Sequence, residues 1–87
     1  MLFELNNGGY KMVEFETIKS EEFKFGNSSF IEVARKKAIT PKGENEFISI
    51  SRGFYMLNNQ KRYNKSFSIP ISDEVVNFVS EKLKEML

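Results

Sequence analysis

The sequence contains no cysteine, no histidine and no tryptophan, and only two prolines. Without Cys and His, a thiol nucleophile, a Ser-His-Asp triad, a disulfide and nearly every structural zinc site are excluded, because those chemistries need a thiolate or an imidazole. Long apolar runs are also missing. The longest unbroken one, Phe54 to Leu57, is far too short to cross a bilayer as a helix. The N-terminus carries Glu4 and Gly8-Gly9 where a signal peptide has a basic start and an apolar core, so the expected compartment is the cytoplasm. No GxxxxGK[ST] phosphate loop occurs, and the Asp/Glu scatter gives no calcium loop. Glu21-Glu22 and Asp73-Glu74 are sequence neighbours, whose side chains diverge in a strand or a helix, so neither reads as an acid/base pair. These gaps leave no catalytic constellation and imply no cofactor. A binding or structural protein is expected, not an enzyme.

Aromatic rings are what the chain has in surplus: nine Phe and three Tyr in 87 residues. At 40% apolar and 29% charged, the composition is that of a globular domain. A chain this short buries a limited fraction of its surface when alone. So many rings point either to a dimer that shares a core or to a surface that stacks flat ligands. Charge is unevenly laid out beneath a net +1. Residues 1–33 sum to −3, residues 34–66 to +6 and residues 67–87 to −2. A basic middle between acidic ends is the asymmetry of an anion binder, although a solvated surface gives the same count.

Along the chain, the turn formers and the two-residue alternation predict four strands and a helix. Asn7-Gly8 between LFEL and YKMVEFETI is a hairpin signal, and the same stretch also reads as a loose arm. Residues 1–21 are therefore set apart from a domain over 22–87, with Lys19 to Glu22 as a polar break. EFKF (22–25) is a short strand, ended by Gly26-Asn27-Ser28. SFIEVARKKAI (29–39) is the second. Its Ile31, Val33 and Ile39 share a face with Arg35 and Lys37, which predicts that the strand bends or leaves the core near Ala34. Thr40-Pro41-Lys42-Gly43 is a turn. EFISISRGFYM (46–56) is the third strand, with Ile48, Ile50, Phe54 and Met56 on a core face and Phe47, Ser49, Ser51, Gly53 and Tyr55 on the other. Gly53 marks a bulge or a close approach to the backbone. LNNQKR (57–62) is a basic loop and YNKSFSI (63–69) the fourth strand. Ser72 then caps a helix whose first turn carries Asp73 and Glu74. Its stripe of Val75, Val76, Val79, Leu83, Met86 and Leu87 must pack on the sheet and on a second copy.

The chemistry on offer is rings interleaved with cations. Single-stranded nucleic acid is held by a positive groove along its backbone and by aromatic faces under its bases. Candidates for that task are Lys36, Lys37, Lys42, Phe47, Arg52, Tyr55, Lys61, Arg62, Tyr63 and Lys65. The competing reading is that Phe47 and Tyr55 pack under the N-terminal segment or a partner, as strand aromatics commonly do.

The order strand, strand, strand, strand, helix resembles the positive cofactor four transcriptional coactivators, with the Whirly and Pur proteins sharing the ββββα unit. ISISRGFYM (48–56) is similar to that family's third strand: alternating apolar residues, an Arg, then two aromatics and a Met. NNQKRYNK resembles its basic loop, KSFSIP its fourth strand, and EFKFGNSSFIEVARKKA its first two strands. The resemblance covers residues 22–87 and implies single-stranded DNA held across the sheets of a homodimer, with the helices in the dimer core. It implies stacking and grip by Phe47 or the Lys36-Lys37 segment. Tyr55 stands where the family usually has Trp, and Lys61, Arg62 and Lys65 match the basic approach to the fourth strand. The expectation is an α+β domain with a four-stranded antiparallel sheet and one C-terminal helix. Its expected role is binding single-stranded DNA or RNA as a homodimer, with little sequence preference. The rival expectation is a protein-interaction or structural module without nucleic-acid binding, whose aromatic face docks a protein.

Overall fold

The computed structural model describes residues 13–87. Four strands, β1 (Glu14–Phe25), β2 (Ser29–Thr40), β3 (Gly43–Tyr55) and β4 (Lys61–Pro70), form an antiparallel meander in chain order, and one helix, α1 (Asp73–Glu85), follows. This is the α+β ββββα architecture expected from the sequence. The turns follow from local chemistry. Gly26 takes φ 65° between β1 and β2, a conformation that side chains disfavour. The Thr40 hydroxyl accepts from the Lys42 amide at 3.1 Å and donates to the Gly43 carbonyl at 3.1 Å, which closes the β2–β3 turn. Asn59 supplies the left-handed residue of the β3–β4 loop.

Three expectations are corrected. First, β1 begins at Glu14, so residues 14–21 belong to the sheet and pair with β2 from Glu14↔Ile39 to Glu21↔Val33. The polar stretch Lys19–Glu22 does not break the strand, because a bulge between Thr17 and Lys19 absorbs Ile18 and the ladder continues. The Asn7-Gly8 hairpin lies outside the described residues. Second, the irregularity near Ala34 lies on β1, opposite Arg35 and Lys36, and not in the pairing of β2 with β3. The register of β2 with β3 is unbroken from Ser29 to Thr40. Arg35 and Lys37 stay on the apolar parity, held by Glu46 at 2.8 Å and by Glu44 at 3.4 Å. The irregularities sit instead in β1 and opposite Arg52/Gly53.

The register divides the side chains into two faces. One, here the polar face, carries Phe15, Glu22 and Lys24 of β1, Phe30, Glu32, Ala34 and Lys36 of β2, Phe47, Ser49, Ser51 and Tyr55 of β3, and Lys61, Tyr63 and Ser66 of β4. The other, the apolar face, carries Phe23, Phe25, Ile31, Val33, Ile48, Ile50, Phe54, Phe67 and Ile69. Burial reverses the expected core. The fully buried ring is Phe30, on the polar face, and Ala34, Ser49 and Ser51 beside it are buried too. The Ser51 and Ser66 hydroxyls there share a hydrogen bond at 3.0 Å. The apolar face stays open: Phe23 is 67% exposed and Phe67 59%.

The third correction concerns α1. Its cap is as expected, with the Val75 amide donating to Ser72 Oγ at 3.3 Å. Yet within the described chain the helix touches only β4, and none of its residues is buried. Only Ile71 and Ser72 join it to the edge strand, and its stripe residues Val75, Val76 and Val79 are half-buried. Phe78, Leu83 and Met86 are 60–78% exposed.

Candidate nucleic-acid interface

The ten cationic and aromatic candidates are split by the sheet. Lys36, Phe47, Tyr55, Lys61 and Tyr63 project from the polar face, whereas Lys37, Arg52, Arg62 and Lys65 fall on the apolar one. Lys42 is exposed in the β2–β3 turn. The split follows from strand pairing: Arg52 opposes Lys65 and Phe54 opposes Arg62, each pair on the apolar side. A row of cations contiguous in sequence thus becomes two groups back to back.

On the polar face the residues gather at two ends. Phe47 and Tyr55 are eight positions apart on β3, about 26 Å at the usual strand rise. At the first end, Lys36 lies directly across from Phe47, whose half-buried ring meets Phe15 edge-on at 6.1 Å. Lys36 and Lys42 make no ion pair among the described residues.

The second end is a closed cluster around Phe30. The rings of Tyr55 and Tyr63 pack on it with centroids 5.4 and 5.2 Å away. Glu22 accepts from the Tyr55 hydroxyl, and Glu32 accepts from the Tyr63 hydroxyl at 3.1 Å. Lys61 Nζ joins the two carboxylates, 2.6 Å from Glu22 and 3.6 Å from Glu32. The same ammonium sits 4.7 Å from the Phe30 centroid and 5.3 Å from that of Tyr63, within range of a cation–π attraction. Lys24 covers Tyr55 at 4.8 Å. Hydrogen bonds from Lys61 and Tyr55 hold the Glu22 carboxyl below the usual carboxylate range. The same Glu22 bond pushes the Tyr55 hydroxyl up, and the Lys61 ammonium is held protonated chiefly by Glu22.

Glu22, Lys24, Phe30 and Glu32 are members of this cluster that sequence reasoning passed over. The signal for them was the register: each pairs directly across from another member, Glu22 with Glu32 and Lys24 with Phe30. Beyond Tyr55, between the two turns at that end of the sheet, lies an open cleft of about 970 Å³ lined by Lys24, Gly26, Ser28, Phe54, Tyr55 and Leu57. Tyr63 keeps half its ring exposed, at 51%. No group of Asp and Glu among the described residues is placed to hold a metal ion, and no described helix is long and apolar enough to cross a membrane. What the arrangement offers is aromatic ring surface at one end and, among the described residues, cations without an ion pair at the other. No family model, curated protein or solved structure matches the chain, so this interface is read from its own residues and geometry.

Proposed function

We propose that the chain is a homodimer that binds single-stranded DNA or RNA, with little sequence preference, across the polar face of its sheet. The observation that carries the reading is that Phe47, Tyr55 and Tyr63 share one sheet face with Lys36, next to an open cleft beside Tyr55. Rings accept any base, because every base has a π-face, and cations track the phosphates.

The dimer follows from the opposite face. Phe23, Phe25, Ile31, Val33, Phe54 and Phe67 are 38–67% exposed there, and α1 adds Phe78, Leu83 and Met86. Covering them would bury on the order of 800 Å² per chain, from ~150–250 Å² per large ring, which is the area a stable interface takes from each partner. Single chains rarely leave so large an apolar patch in water. Charge is complementary as well. Arg52, Arg62 and Lys65 on the sheet and Asp73, Glu74 and Glu81 on the helix make no ion pair within the described chain.

The test is fluorescence anisotropy with labelled oligo-dT and a matched duplex, beside light scattering of the free protein. Binding of oligo-dT in preference to duplex, by a particle of twice the chain mass, is expected. The open apolar face also favours a second reading, a module that docks a protein. No oligo-dT binding at low salt would leave that one standing.

A further inference from the structure

Lys61 was selected as one more cation for a nucleic-acid backbone, and its surroundings argue for another task. Two carboxylates lie within 3.6 Å of its ammonium. Its side chain is only 29% exposed. Each of those carboxylates also accepts from a tyrosine hydroxyl, Glu22 from Tyr55 and Glu32 from Tyr63. The ammonium therefore ties together the two acceptors that orient the two rings, and it caps Phe30, on which both rings pack. A phosphate arriving here would meet two carboxylates already matched by Lys61 and Lys24, a neighbourhood with no net positive charge left to hold it. Lys36 and Lys42, at the other end of the sheet, make no ion pair among the described residues.

We propose, resting on the nucleic-acid reading above, that Lys61 is a positioning residue which holds Tyr55 and Tyr63 for stacking, while Lys36 and Lys42 take the phosphates. The two ends of the polar face then receive different parts of the ligand: bases at the Tyr55–Tyr63 end, backbone at the Lys36–Lys42 end.

Salt dependence separates the two roles. Affinity for a single strand falls with log salt at a slope of about −0.7 per phosphate neutralised. In titrations of labelled oligo-dT at several salt concentrations, Lys36→Ala should make the slope shallower by about 0.7. Lys61→Met should weaken binding at least several-fold per folded molecule and leave the slope unchanged. Lys61→Arg, which keeps a cation between Glu22 and Glu32, should restore affinity. In a Tyr55→Ala background, Lys61→Met should cost much less than it does alone, because the ring it positions is gone. The near-UV circular dichroism of the tyrosines gives a readout that needs no ligand. It should weaken in Lys61→Met and recover in Lys61→Arg. A slope change in Lys61→Met equal to that in Lys36→Ala would make Lys61 a phosphate contact and overturn the proposal. So would undiminished affinity in Lys61→Met. An unchanged near-UV spectrum overturns the positioning role whether or not anything binds. A flat oligo-dT titration of the parent protein, by contrast, overturns the nucleic-acid reading itself.

Discussion

At the scale of single residues, the cluster around Phe30 shows how polar groups stabilise a face that has few aliphatic side chains. Glu22 has its folded-state pKa depressed by Lys61 and by the Tyr55 hydroxyl. A depressed carboxylate contributes stability that is present above its unfolded pKa and lost as pH falls through the lower folded value. The melting temperature should thus drop as pH goes below the ordinary glutamate range, and Glu22→Gln should flatten that part of the profile in a thermal-denaturation series. Tyr55 titrates in the opposite sense. Its raised pKa means stability present in the neutral range and lost as pH rises through the raised folded value, above the ordinary tyrosine range. Read from the sequence, Tyr55 is either a base platform or a ring packed under the N-terminal segment or a partner. Because the ring packs on Phe30 at 5.4 Å, Tyr55→Ala should lower both the melting temperature and, by about 1–3 kcal/mol, the affinity for oligo-dT. Gly53 is a sharper case. A methyl there would run into the Arg62 carbonyl and sit 2.8 Å from the Phe30 ring. Gly53→Ala should cost about 1–3 kcal/mol, seen as a melting temperature lower by several degrees.

At the scale of elements, the strands and the helix form for different reasons. The meander is held by ladders whose register places Ser51 opposite Ser66 and Glu22 opposite Glu32. Two bulges let this sheet depart from strict alternation without losing its pairing. The helix has good local signals: a serine cap, Asp73 and Glu74 in the first turn, and Lys82 and Lys84 in the last. What it lacks is a second tertiary partner: within the described chain it touches only β4. Short helices in water are marginal on propensity alone, so the cap matters more here than in a helix packed on a core. Ser72→Ala should cost about 1 kcal/mol of helix stability, visible as lower helical signal in far-UV circular dichroism on dilution. The strand positions were legible in the sequence to within a few residues for β2, β3 and β4, because Gly, Pro and Asn punctuate them. The start of β1 was not legible, since Lys19 to Glu22 looks like a linker until its pairing with β2 is known.

At the scale of the whole molecule, a two-faced sheet and a helix that touches only β4 define the problem that assembly would solve. Leu83 is 63% exposed and Phe67 59%, yet they belong to the apolar surfaces of two different elements. If both surfaces are buried between copies, Leu83→Asp and Phe67→Asp should each place an unpaired charge in the interface and yield monomer or unfolded chain. Size-exclusion chromatography with light scattering at micromolar concentration checks this. A parent protein that is monomeric there would refute the dimer. An intact dimer lacking residues 1–12 would show that this segment is not what covers the face.

The amino-acid sequence by itself determined the element order, the helix cap, the turn positions and the absence of thiol or imidazole chemistry. These depend on residue type and near neighbours, which a linear reading captures. Only the tertiary structure decided which side chains meet. Strand pairing put Lys36 and Phe47 on one face and Arg52 and Lys65 on the other, a choice that shifts with a single residue of register. It also brought Glu22, 39 positions from Lys61, within 2.6 Å of it, and so turned a surface cation into the centre of an ion and ring cluster. Burial was decided at the same level: Ser49 and Ser51 on the polar face are buried, and Phe23 and Phe67 on the apolar face are not.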